Sequence, residues 1–366
     1  MDQRLERLSA ILREAGLDAL ALNPGPTLTY LTSLHFHLME RPVVGLFTAH
    51  GEAGMVLPEL EREKLSGTPF LAFPYGEDPA TWEAAFRRAL DALGLATAAI
   101  GVEPTRLRVL ELRYLERAAL GATFPGAAEV IAQLRLRKDE HEIAAMRQAV
   151  RIAEEAFRAA LSRFRVGMTE QQLAAELVVQ LLRHGSAPDL PFQPIVAAGP
   201  NGANPHATPT ERPIQPGDLV IVDWGANYGG YFSDLTRTLA VGNIDPELER
   251  VAQIVLQANQ AGREAVRPGL PAGQVDAAAR RVIVEAGYGA HFIHRTGHGL
   301  GLEVHEPPFL YAENVQALEA GMTFTVEPGV YLPGRGGVRI EDNVVVTTTG
   351  SKTLSTLPRT LWRLPA

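Results

Sequence analysis

A chain of 366 residues exceeds what one hydrophobic core ordinarily serves, so two globular domains are expected. Its 46% hydrophobic and 21% charged residues include no apolar run long enough to span a bilayer. The lack of cysteine excludes disulfides, thiolate metal sites and a cysteine nucleophile, and a net charge of −8 without a basic stripe argues against nucleic acid as a partner. Any metal must therefore be held by oxygen and nitrogen. The amino end, Met1 to Arg7, lacks the basic-then-apolar order of a secretory signal, so a cytoplasmic protein is expected.

Leu5, Leu8, Ile11 and Leu12 share one face of an amphipathic helix that Gly16 should stop, and a strand follows at Ala19 to Leu22. Apolar runs at Val43 to Phe47, Gly54 to Leu57 and Ala98 to Val102, with helical patterns at Trp82 to Leu93 and Leu107 to Leu120, predict a small α/β domain over residues 1–133. A charge run from Arg135 to Glu142 then opens a long helix with Ile143, Met146, Val150, Ala153, Phe157 and Leu161 on its apolar stripe. The run reads as a solvated helix start and domain hinge.

The second domain, residues 134–366, contains itself twice. Arg165-Val166-Gly167 leading to Gln172 recurs as Arg267-Pro268-Gly269 leading to Gln274 at the same internal spacing, which predicts two helix-plus-hairpin halves about a pseudo-twofold. The first hairpin flanks Asn227-Tyr228-Gly229-Gly230. With a two-residue loop at Tyr228-Gly229, Asp223 would face Asp234. The second flanks Pro333-Gly334-Arg335, and outward counting sets Glu327 against Glu341.

Like charges placed opposite one another are destabilising, and unpaired carboxylates in apolar strands are more so. Two such pairs call for something positive between them. Four carboxylates and one imidazole suit two divalent ions such as Mn, Co, Zn or Fe, which could share a water and polarise a carbonyl. His298, between Gly297 and Gly299 in the stretch His294 to His305, is the expected histidine ligand. His294 and His305 would stand nearby, Arg339 should point to the same face as Glu341, and His206 lies in a loop-forming stretch before the first hairpin.

At these residues the chain resembles the pita-bread (creatinase-fold) metallopeptidases. The contexts Val222-Asp223-Trp224-Gly225, Ser233-Asp234-Leu235-Thr236-Arg237-Thr238, Gly297-His298-Gly299, Val326-Glu327-Pro328-Gly329 and Arg339-Ile340-Glu341-Asp342 carry the resemblance. The additional first domain is similar to that of the aminopeptidase P, prolidase and creatinase branch. The resemblance implies a two-domain α/β protein: a creatinase-type α/β domain, then an α+β pita-bread catalytic domain. It also implies that Asp223 binds one metal, that His298 and Glu327 bind the other, and that Asp234 and Glu341 bridge both. Glu327 would exchange a proton with the attacking water, while His206 and His305 would contact substrate and stabilise the tetrahedral intermediate.

The expected function is thus a dinuclear, Mn-dependent exopeptidase acting on short peptides at Xaa-Pro bonds, as an aminopeptidase P or a dipeptidase. Prolidases of this resemblance place an arginine a few residues after the equivalent of His305-Glu306, where it holds a dipeptide's carboxylate. Phe309 stands in its place here. That departure keeps open another exopeptidase specificity, such as a metallocarboxypeptidase; an inactive binding module is the remaining alternative. In related dimers an arginine crosses to the partner's active site. Arg41, in the polar cluster His35-Phe36-His37-Leu38-Met39-Glu40-Arg41-Pro42, is the candidate for that part, with His37 beside it as a further substrate contact and a homodimer as the consequence.

Overall fold

The computed structural model describes residues 2–366, which fall into two compact units, one ending at Arg135 and one running from Leu136 to Ala366. In the first unit α1 (Asp2–Glu14), β1 (Ala19–Leu22), α2 (Pro26–Thr32), β2 (Val44–Thr48), β3 (Ala53–Pro58), β4 (Leu71–Tyr75), α3 (Trp82–Ala92), β5 (Ile100–Val102), α4 (Val109–Ala118) and α5 (Ala128–Arg135) follow in order. The sheet order is β4-β3-β2-β1-β5, and its buried residues pack on Trp82, Phe86 and Leu90 of α3 and Leu115 of α4. The polar cluster His35 to Pro42 follows helix α2.

The second unit opens with α6 (Glu140–Ser162). Asp139 caps it by accepting hydrogen bonds from the backbone N–H groups of His141 and Glu142, and Glu142 returns the favour to Asp139. The boundary between the units falls in the charge run before it, which is only partly solvated: Arg137, Asp139, Glu140 and His141 are exposed, but Lys138 and Glu142 are buried, with Lys138 paired to Glu306 and Glu142 accepting from the Tyr231 hydroxyl.

The repeat seen in the sequence is a repeat of structure. The first half is α6, α7 (Glu170–Arg183), β6 (Ile195–Ala198), β7 (Leu219–Trp224) and, beyond the short β8 (Asn227–Tyr228) and β9 (Tyr231–Phe232), β10 (Leu235–Val241). The second is α8 (Pro246–Ala265), α9 (Gly273–Glu285), β11 (Gly297–Gly299), β12 (Glu306–Leu310), β13 (Thr323–Val326), β14 (Gly329–Leu332), β15 (Gly336–Arg339) and β16 (Asp342–Val346). Strands β6, β7 and β10 pair antiparallel in sequence order, as do β11, β13 and β16. At the joint between the helices of each half, Gly167 and Gly269 take φ of 89° and 85°, a left-handed backbone open to glycine. Their N–H groups donate to Ile214 and Leu318, and the guanidinium groups of Arg165 and Arg267 each cap the carbonyls one and three residues back. Strands β17 (Ser351–Thr353) and β18 (Trp362–Leu364) add to the sheets beside β16 and β10.

The first hairpin differs from the expected register. Its loop is Gly229-Gly230, Tyr228 meets Tyr231, and Asp223 therefore faces Thr236, not Asp234. Both glycines have positive φ, the geometry that a tight two-residue turn requires, and this moves the turn by one residue. Asp234 is then the diagonal neighbour of Asp223 on the same face. The second hairpin keeps the counted register from Leu332 opposite Gly336 through Val326 opposite Asp342, which leaves Glu327 and Glu341 facing each other across a gap in the ladder.

The two halves are joined by one seam. Thr236 and Glu341 form an antiparallel bridge, and the Arg237 guanidinium, wholly buried, donates to the carbonyls of Thr236, Glu341, Leu357 and Pro358 and to Asp342. Burial alone would raise the Asp342 carboxyl, but Arg237 and Arg359 bring it down to about 2. Its stabilising contribution is present above the ordinary carboxylate range and is lost as pH falls through that value. Asp342→Asn, which leaves a buried guanidinium without its counter-charge, is expected to cost about 3–5 kcal/mol, read as a lowered midpoint of urea unfolding. A loss below about 1 kcal/mol would mean that the four carbonyls hold Arg237 unaided.

Candidate metal centre

Asp223 lies within β7, paired with Thr236 on one side and Ile195 on the other, while Asp234, Glu327 and Glu341 lie where the strand ladders break, and the backbones of Asp234 and Glu341 are satisfied from the opposite half. Asp234 N–H donates to the Asn343 side chain (3.1 Å), whose amide donates back to the Asp234 carbonyl. Glu341 N–H donates to the Thr236 carbonyl (3.1 Å) and Glu327 N–H to the Thr296 carbonyl (2.8 Å). Asp234, Glu327 and Glu341 are thereby fixed outside the ladders.

His298 is held by close packing on both sides. A Cβ at residue 297 would lie 2.0 Å from the Thr325 carbonyl oxygen, and one at 299 would lie 2.2 Å from that of Pro307, so only glycine fits at either position. With Nδ1 donating to the Gly299 carbonyl at 3.1 Å, the ring presents Nε2 to Glu327 at 3.3 Å and Asp234 at 3.6 Å. Burial first, and then the neighbouring His305, push His298 well below its ordinary range, which leaves it neutral and able to offer a lone pair. Ligand atoms of Asp234, His298 and Glu341 all lie within 4.8 Å of one another.

The electrostatics call for a cation. Burial raises Asp223 and Glu327, the latter to about 7, and burial together with the neighbouring acids drives Asp234 and Glu341 well up. Arg339 opposes them most strongly, with Arg295 adding a smaller pull on Glu327. Arg339 donates to Asp223 (2.6 Å), to the Thr236 hydroxyl (3.1 Å), to the Tyr331 hydroxyl (2.9 Å) and to the Pro205 carbonyl (3.2 Å). It thus orients Asp223 directly and favours the charged form of Glu341 through space, with its hydrogen-bonding edge already engaged. The other oxygen of Asp223, Oδ1, is buried without a hydrogen-bond partner. An orphaned carboxylate oxygen beside neutral imidazole and crowded acids fits an oxygen- and nitrogen-bound divalent ion.

These groups line a cavity of about 360 Å³ with His206, His294, Arg295 and His305, and with Phe192, Ile195 and Val304 as apolar wall. His305 meets His298 edge-on at 4.1 Å between ring centres. His294 has Nδ1 against the Arg295 carbonyl (2.7 Å) and Nε2 against the Tyr331 hydroxyl (2.9 Å), and burial lowers it to about 4. His206 rides on an exposed loop. Arg41 and His37 are not among the cavity's walls: Arg41 lies in the first unit, 3.3 Å from Glu77, and His37 is exposed.

Several supporting residues escaped the sequence reading. Thr236 donates to Glu341 (2.7 Å), and Thr325 to Glu327 (3.3 Å) while accepting from His298 N–H (3.1 Å). Buried Asp276 accepts from Thr296 and from Arg280, whose guanidinium also donates to the carbonyls of Phe292 and His294. Buried Glu170 accepts from Ala198 N–H, the Asn201 amide, and the N–H and hydroxyl of Thr210, clamping both ends of the His206 loop. Thr236 and Arg237 were visible in the quoted context of Asp234, but their partners are about a hundred residues away.

Two interlocked halves closing four acids and a histidine around a cavity define a metal-dependent hydrolase. Residues 144–348 match metallopeptidase family M24, and residues 4–137 match the creatinase/prolidase N-terminal domain, so the chain belongs to family M24 and is a metallopeptidase. It is 39% identical over 377 residues to a probable dipeptidase PepE of Mycobacterium tuberculosis, covering 99% of this chain and 96% of that one. An Xaa-Pro dipeptidase of Lactobacillus helveticus is 34% identical, with 99% of both chains covered. A dipeptidase from Pyrococcus horikoshii superposes with a TM-score of 0.94 at 40% identity, over 99% of this chain and all of the other (100%).

Glu170→Gln keeps the size of the side chain but removes the charge that gathers the His206 loop. We expect faster amide exchange over residues 199–210, unchanged metal content, and kcat/KM lower by roughly ten- to a hundredfold. Unchanged exchange would show that the loop is held by other contacts.

Proposed function

We propose that this metallopeptidase is an Xaa-Pro dipeptidase that holds two divalent ions, Mn by preference, on Asp223, Asp234, His298, Glu327 and Glu341. The observation that carries the reading is the approach of Asp234, His298 and Glu341 to within 4.8 Å at a cavity of about 360 Å³, a size suited to a very short peptide. Asp234 and Glu341, fixed from opposite halves, are the proposed bridging pair; Asp223 serves one ion, and His298 with Glu327 the other. When bound, the ions would polarise the scissile carbonyl and acidify water. Glu327, whose environment disfavours its charge, is the proposed proton acceptor. His206 and His305, exposed at the cavity, are proposed to donate toward the developing negative charge on the substrate, and His294, held by Tyr331, to seat the residue on the carboxyl side.

Proline preference is supported by the names of the relatives, among them the Xaa-Pro dipeptidases of Lactobacillus helveticus and Pyrococcus horikoshii. The first unit is proposed to build a homodimer, and the protein is proposed to act in the cytoplasm. Phe309 supports a second reading, an exopeptidase of carboxypeptidase type, since the residue at that position brings no cation of its own.

Mn-loaded protein on a panel of Xaa-Pro dipeptides, Xaa-Pro-Yaa tripeptides and end-blocked peptides, read by mass spectrometry, separates these. Cleavage confined to Xaa-Pro dipeptides and lost on amino-terminal acetylation is expected; cleavage that tolerates acetylation but needs a free carboxyl end would establish the second reading. Metal analysis of protein purified without chelator should give about two ions per chain, and His298→Ala should lower metal content and activity together. Full metal content in that variant would remove His298 from the ligand set.

A further inference from the structure

A dipeptide brings a free carboxylate close to its scissile bond, into a cavity already walled by Asp223, Asp234, Glu327 and Glu341. The acids repel it, so binding needs a cation that the acids do not already hold. Among the described residues two arginines line the cavity, Arg295 and Arg339. Arg339 is fully engaged with Asp223, Thr236, Tyr331 and Pro205.

Arg295 is different. Its guanidinium carbon sits 4.3 Å from the centre of the Phe309 ring, and among the described residues its side chain makes no hydrogen bond or ion pair. A phenyl platform holds a guanidinium by its face and leaves the N–H edge free for a planar anion. Phe309 itself is fixed, paired in register with His298 across β11 and β12, so the platform is tied to the proposed ligand strand. Arg295 carries the chain's cationic group to the very residue that lacks one. Its backbone carbonyl meanwhile accepts from His294, which fixes where its side chain departs.

We infer that Arg295, seated on Phe309, is the subsite for the free α-carboxylate of the substrate. The assignment rests on the Xaa-Pro dipeptidase reading and names the group that makes the enzyme require a free carboxyl end. Phe309 is a positioning residue that acts through Arg295.

The test compares Leu-Pro with Leu-prolinamide on Mn-loaded wild type, Arg295→Ala, Arg295→Lys and Arg41→Ala. Arg295→Ala is expected to raise KM for Leu-Pro by roughly ten- to a hundredfold with kcat within about threefold, while the amide, poor for the wild type, is cleaved equally by both. Arg295→Lys should recover part of the loss, and inhibition by free proline should weaken in Arg295→Ala to the same degree as KM. An unchanged KM, equal losses on acid and amide, or a carboxylate-specific loss in Arg41→Ala alone would each overturn the assignment. Should the wild type cleave no Xaa-Pro dipeptide, the dipeptidase reading fails and takes this assignment with it. Cleavage that is indifferent to Arg295 sinks the assignment alone.

Discussion

The second unit depends on the seam where Arg237 lies among backbone carbonyls and Asp342. A wholly buried guanidinium is tolerable only when every donor is matched, and here it gathers the carbonyls of Thr236 and Glu341, one from each half. That contact sets the distance between the strands carrying Asp234 and Glu341. Asn343 then fixes Asp234, and Thr236 fixes the Glu341 carboxylate. The candidate metal centre is thus a by-product of how two duplicated halves are locked, and the acids can stay crowded because the backbone beneath them cannot spread.

The same economy governs the histidines. Each half uses a buried acid in an early turn of its second helix, Glu170 or Asp276, to hold a loop that carries histidines to the cavity. The two acids are not at equivalent positions of the repeat, since the spacing that relates Arg165 to Arg267 would relate Glu170 to Ala272. The scaffold joints have stayed alike while the loop supports differ, which is what a symmetric frame needs in order to carry an asymmetric site.

Much of this was legible in the sequence because it rests on local rules. Helix stripes, the turn at Pro333 to Arg335 and the glycine joints at Gly167 and Gly269 depend on residues near one another in the chain. The register of the first hairpin was misread by one position, since two adjacent glycines moved the turn and only the backbone shows that both take positive φ. The charge run before α6 holds the boundary between the units but was read as too solvated: Lys138 is buried by Glu306, a partner 168 residues distant. The cluster of acids could be found from their apolar surroundings, but Arg237, Asn343 and Glu170 could not, because nothing near them in the chain shows what they hold. Metal identity, the homodimer and the parts of His37 and Arg41 rest on resemblance, for the same physical reason: each depends on a species or a second chain that one sequence does not contain.

The distribution of the proposed ligands between the halves has a consequence of its own. The first half supplies two aspartates, the second a histidine and two glutamates, and neither set crowds enough charge to demand a divalent ion alone. The proposed centre needs both halves docked, so its chemistry would be a property of association within a single chain, and an ion held there would favour that docking.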